Sequence, residues 1–119
     1  MCDQYLIVST TVPDRDTGRA IAAILLDSKL AASVQISGPI ESRYWWQDEL
    51  RRAEEYVCAC RTIAARYGEI EAEIRALHPY KTPEIIATPI VFGSADCLAW
   101  ISAYSRGVGR RGRRGEETI

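Results

Sequence analysis

Segments rich in β-branched residues alternate with two stretches of three-and-four apolar periodicity, and two long alternating segments sit between the helical ones. Together these observations predict an α+β fold with the order β-α-β-β-α-β-α. That is the ferredoxin-like, split βαβ pattern, here with a long β-hairpin and an extra C-terminal helix. The 119 residues suffice for one domain, which would bury roughly 60 to 70% of the surface its unfolded chain exposes. Residues 1–105 are expected to form that domain, and residues 106–119 a disordered Arg/Gly-rich tail.

Residues 5–12 are short and β-branched and end at Pro13-Asp14, which predicts a buried first strand. Asp14 and Asp16 suit the first turn of a helix by capping and dipole arguments. Ala20, Ile21, Ile24, Leu25 and Ser28 would form its apolar stripe, and Gly18 weakens its start. Residues 33–37 and 40–46, broken at Gly38-Pro39, and residues 55–62 predict a hairpin joined near Gln47-Asp48-Glu49. Val57 and Ala59 alternate there with Tyr56, Cys58 and Cys60, so neither side is cleanly polar. Both faces should therefore be covered, one by helices and the other by a partner subunit.

Ile63, Tyr67, Ile70, Ile74 and Leu77 make the next helical stripe, with Arg66, Glu69, Glu71, Glu73 and Arg75 opposite, and Pro79 ends it. Residues 84–91 predict a strand, and Pro89 suits its end or a sheet edge. Ser94 would cap a last helix carrying Cys97, Leu98, Trp100, Ile101 and Tyr104.

The formal net charge is −1, yet residues 106–119 hold five arginines and two glutamates. Residues 1–105 then keep 10 basic and 14 acidic side chains, a mildly acidic body that is no duplex-binding surface. No nucleic-acid partner is expected, the alternative being an arginine-rich tail that folds on RNA. No apolar run is long enough to span a membrane and no secretory signal is visible, so a cytoplasmic protein without a membrane partner is expected. Cys2, Cys58, Cys60 and Cys97 imply no oxidising compartment. Cys58 and Cys60 share a strand face and could clasp a soft metal, but no second pair or nearby histidine completes the set, and both serve well as small hydrophobes. Cys97 is expected to pack on its helix.

The one histidine, His78, opens a run with Pro79, Tyr80, Lys81, Pro83 and Glu84. Imidazole, phenol, ammonium and carboxylate crowd a segment stiffened by two prolines, which makes it either a site or a rigid connector.

Leu30-Ala31-Ala32-Ser33-Val34-Gln35-Ile36, Ser42-Arg43-Tyr44-Trp45-Trp46, Glu55, Arg61-Thr62, His78-Pro79-Tyr80, Pro83-Glu84-Ile85 and Trp100-Ile101 follow one another in an order and spacing that resembles the CutA divalent-cation tolerance family. The resemblance covers residues 5–105. It implies a ferredoxin-like subunit in a tight homotrimer assembled through the long strands, similar to PII signalling proteins. It also implies a role in copper and heavy-metal tolerance. The copper-ligand positions it implies fall on Thr10, Leu77 and His78, so one of three can ligate. The candidate Cu2+ set is accordingly His78, Glu84 and the position of Thr10, since imidazole with oxygen donors suits copper. Further departures are Ser33, Gln35, Arg61 and Cys97.

A second reading is a PII-like trimer with a small-ligand cleft between subunits, walled by Arg61, Glu55, Tyr80, Lys81, Glu84, Trp46 and Tyr44. Arg61 could equally pair with a glutamate across an interface anchored by Trp45 and Trp46. No nucleophile with a paired base and no glycine-rich phosphate loop is visible, so no enzyme is expected.

Overall fold

The computed structural model describes residues 3–107. The elements are β1 (Tyr5–Val12), α1 (Arg15–Asp27), β2 (Ser33–Trp46), β3 (Glu49–Ile63), α2 (Tyr67–Leu77), β4 (Ile85–Pro89) and α3 (Ala95–Ala103), with a 3-10 turn at Ala64–Arg66 before α2. This is the predicted α+β order. The strands form one antiparallel sheet in the order β2-β3-β1-β4. Strand β3 lies between β1 and β2 and so splits the βαβ unit.

Helix α1 begins where its sequence suggests because Asp14 is extended, with φ −153°, and its carboxylate accepts from the Thr17 amide at 2.7 Å. Ser94 caps α3 in the same way, accepting from the Cys97 amide at 3.3 Å. Helix α2 has no side-chain cap and is entered through the 3-10 turn. Ile63, expected to start the α2 stripe, closes β3 instead.

The core lies between one sheet face and two helices. Val8, Val12, Cys58 and Cys60 meet Ile21 and Leu25 of α1 and Ile70 and Ile74 of α2. The α1 stripe is rotated from the predicted one: Gly18, Ile21 and Leu25 are buried, Ala20 is exposed, and Ser28 caps the helix end. Leu77, expected in the α2 stripe, is 41% exposed. The Cys58 thiol donates to the Gly18 carbonyl at 3.8 Å. Burial pushes the Cys58 and Cys60 thiols up to about 11 and 12 respectively, so near neutrality they are protonated core side chains and poor metal ligands.

Strand β1 pairs with β3 only over residues 56–63, so residues 40–46 and 49–55 run on as a two-stranded ribbon. Gln47 and Asp48, with φ of 51° and 62°, turn the ribbon between paired Trp46 and Glu49. Positive φ at both central residues is the type I′ geometry whose twist matches the strands. Strand β3 starts earlier than predicted because Leu50, Arg51, Arg52 and Glu54 are exposed, and a ribbon without a buried face has no alternation to read. At Gly38-Pro39 the strand bulges, with Ser37 opposite Val57 and Ile40 opposite Glu55.

The second sheet face carries Ile7, Ser9, Thr11, Val57, Ala59, Arg61 and Ile86, which alternate with the core residues. Helix α3 closes its Tyr5/Ile63 end, where the Tyr5 hydroxyl lies 2.7 Å from Ser102 Oγ and the Asp3 carboxylate accepts from Ser102 at 2.7 Å and Arg106 at 3.1 Å. Ile101 is buried there, whereas Cys97, Trp100 and Tyr104 face outward, so Cys97 does not pack as expected. Arg106 is held by Asp3, and the Gly107 amide donates to the Lys29 carbonyl at 2.8 Å. Contacts with the folded body thus extend to Gly107. The remainder of the expected tail, residues 108–119, lies outside the described residues. Among those described, no helix is long and apolar enough to cross a membrane.

Candidate functional site

His78 caps the C-terminal end of α2, its amide donating to the Ile74 carbonyl at 2.9 Å. Its ring is occupied on both edges. Nε2 lies 2.7 Å from the Thr11 carbonyl, which can only accept, and Nδ1 accepts from the Tyr80 amide at 3.2 Å. These partners require the neutral Nε2–H tautomer and leave no ring lone pair free. The rings of His78 and Tyr80 pack at 4.7 Å between centroids, and Pro79 and Pro83 hold the loop that continues from them.

Tyr80 links this corner to the sheet. Its hydroxyl donates to Glu55 Oε2 at 2.8 Å. Desolvation, then the hydrogen bond to Glu55 and its charge, push the Tyr80 hydroxyl well above the usual phenol range. Glu55 is only 6% exposed although it carries a carboxylate. A chain of contacts therefore runs from β1 through His78 and Tyr80 to β3.

A groove of about 1030 Å³ opens over this corner. Its floor is Ser9, Thr11, Val57 and Glu55, its near wall the loop Tyr80, Lys81, Thr82, Pro83 and Glu84, and its far wall the ribbon. The alternation that puts Ile40 on the same face as Glu55 also brings Ser42, Tyr44 and Trp46 to it, with Arg51 opposite Tyr44. Of the sequence-predicted residues, Glu55, Tyr80, Lys81, Glu84, Trp46, Tyr44 and Thr10 border this groove, while His78 and Arg61 do not. Thr10 is 1% exposed and its Oγ1 is buried without a partner among the described residues. Arg61 stands farther along the second face, its Nη1 likewise buried without a partner among them. Ser42, Arg43, Trp45 and Arg51 complete the lining without standing out in the sequence as site residues; the two-residue turn between Trp46 and Glu49 fixes the register that pairs Tyr44 with Arg51.

The copper set does not fit this arrangement. His78 spends both nitrogens on the protein, and Leu77 and Thr10 offer no strong donor. Among the described residues no group of three or more His, Cys, Asp and Glu side chains could hold a metal ion. Glu84 is an exposed carboxylate without an imidazole or thiolate to complete a site.

Comparison with known proteins agrees with the architecture. The divalent-cation tolerance protein CutA of Thermus thermophilus is 36% identical over 95 residues, covering 80% of this chain and 92% of that one. That of Archaeoglobus fulgidus is 38% identical over 91 residues, covering 76% and 88%. The crystal structure of CutA1 from Shewanella sp. SIB1 superposes with a TM-score of 0.84 at 36% identity, covering 90% of this chain and 100% of that one. Names of relatives point to more than one compartment, chloroplastic for a protein of Oryza sativa and periplasmic for the Archaeoglobus fulgidus structure. Residues 6–104 match the family described as CutA1 divalent ion tolerance protein, and the chain belongs to that family.

Proposed function

We propose that this protein serves divalent-cation tolerance by binding rather than catalysis, as a homotrimer in which each groove around Glu55 takes a small polar ligand. The observation that carries the reading is the groove itself: a buried carboxylate, a phenol hydrogen-bonded to it and aromatic walls, open on the sheet face opposite α1 and α2. This resembles the cleft of a PII-like signalling or scaffold trimer more than a chelating site. Copper binding through His78 has less support, because its imidazole is spent on Thr11 and Tyr80.

Several features support assembly. The sheet has two free edges, β2 and β4, and pairing one with the other head to tail makes a heterologous interface that can close a ring. The two-stranded ribbon is marginal in water on its own, and its Tyr44, Trp45, Trp46 and Leu50 are exposed. Three copies is the number implied by the family resemblance. A cytoplasmic location belongs to the same proposal, and the free thiols of Cys58, Cys60 and Cys97 agree with it.

Calorimetric titration with Cu(II), on the native protein and on His78→Ala, separates the two readings. Superimposable isotherms are expected, and loss of a stoichiometric copper site in the variant would restore the chelation reading. In parallel, a thermal-shift screen of small polar metabolites should find a stabilising ligand whose effect disappears in Glu55→Gln. A screen without any such ligand would contradict the groove's role.

A further inference from the structure

The groove holds a buried carboxylate on its floor and charges of both signs at its mouth. On the floor, Glu55 is almost fully buried and the partner its carboxylate has is the neutral Tyr80 hydroxyl. A carboxylate removed from water is best satisfied by a cation, and among the described residues none pairs with Glu55. At the mouth an unpaired ammonium is added. Arg43 is held by Glu41 at 2.7 Å and Arg51 by Glu49 at 3.5 Å. Lys81, next to Tyr80, is exposed and has neither an ion pair nor a hydrogen bond among the described residues. Glu84 shares that rim, also exposed and unpaired among the described residues, so the mouth has mixed sign.

The three possible ligand charges fare differently here. A simple anion would bring a second negative charge against the buried Glu55 carboxylate. A simple cation would satisfy Glu55 and leave the Lys81 ammonium unused. A divalent metal ion would find one carboxylate on the floor, another on the rim and no imidazole lone pair, short of a group of three ligands among the described residues. A molecule with an ammonium at one end and a carboxylate at the other suits both levels, and the rings of Tyr44, Trp46 and Tyr80 offer its body an apolar surface and its ammonium a π-face.

We propose that the groove binds a small zwitterionic amino carboxylate, of the amino-acid type, with its ammonium on Glu55 and its carboxylate at Lys81. This inference rests on the ligand-groove reading above and names the ligand's class. It assigns Glu55 as the ammonium receptor, with Tyr80 as the residue that positions its carboxylate, and Lys81 as the selective contact for the other end.

The test uses the full chain in solution. Thermal shift with each proteinogenic L-amino acid selects the strongest responder, which is then titrated by calorimetry beside its amide, lacking the carboxylate, and its N-acetyl derivative, lacking the ammonium. The parent should bind at least roughly tenfold more tightly than either derivative. Glu55→Gln, which keeps an acceptor for Tyr80, should lose the parent by a similar factor. Lys81→Ala, at an exposed position that folding does not need, should weaken the parent several-fold and leave the amide unchanged. Equal binding of parent and N-acetyl derivative, or an unchanged parent affinity in Lys81→Ala, overturns the proposal. If no amino acid binds but another metabolite stabilises the protein through Glu55, the ligand class is wrong and the groove reading stands. If nothing binds, both fall.

Discussion

Two glycines show how differently the same residue is used in this chain. Gly38 sits at φ 141° in the β2 bulge, and a Cβ there would lie 2.8 Å from Tyr56 Cδ2. Gly18 has no such backbone demand, and its Cβ would meet Ile36 at an ordinary 3.5 Å inside the first turns of α1. Gly38→Ala is therefore expected to cost at least about 1–3 kcal/mol, and Gly18→Ala to add about 0.4–1 kcal/mol by restricting the unfolded chain. Urea unfolding of both variants checks the pair, and equal effects would show that the bulge is not strained.

The buried thiols carry a pH prediction at the same scale. Cys58 and Cys60 are raised by burial from an ordinary 9.0 to about 11 and 12. The folded state then keeps protons that the unfolded state releases, so this contribution is complete below pH 9 and is lost as pH rises through the folded values. Stability should fall above pH 9 by up to about 1.4 kcal/mol per pH unit for each thiol. Unfolding midpoints measured between pH 8 and 10.5 should decline less steeply in Cys58→Ala and Cys60→Ala, and parallel slopes would refute the assignment.

Among elements, the ribbon depends most on its turn. Gln47 and Asp48 both occupy the left-handed region, which glycine enters without steric penalty and other residues do not. Asp48→Gly is expected to stabilise the protein by about 0.5–1 kcal/mol without moving the register, and a lower melting temperature in the variant would contradict the type I′ assignment. The same ribbon marks the limit of what the sequence makes legible. Core elements could be read because burial imposes a period, as Ile70 and Ile74 do in α2 and Val8 and Val12 in β1. The start of β3 could not, because Arg51, Arg52 and Glu54 answer to no core and carry no periodicity. Helix α3 misled for the opposite reason: Cys97, Trp100 and Tyr104 are apolar or aromatic yet face outward, and apolarity alone does not say which neighbour covers a side chain.

At the scale of the whole molecule, the candidate site was legible as a set of residue types but not as a place. Glu55, Tyr80, Lys81 and Trp46 converge because β-sheet register and a proline-stiffened loop bring positions far apart in sequence to one groove. His78 stands out in the sequence for its chemistry, and the carbonyl of Thr11 that occupies it is invisible to any motif. What a single chain leaves open is the face that carries this groove, with Arg61 Nη1 buried without a partner among the described residues and Ile86 half exposed on the same face. The proposal that further copies of the chain complete that face underlies the proposed binding function. Light scattering coupled to size exclusion tests it most directly. A mass of about three times the 13.3 kDa chain is predicted, and a mass near 13.3 kDa at micromolar concentration would contradict it.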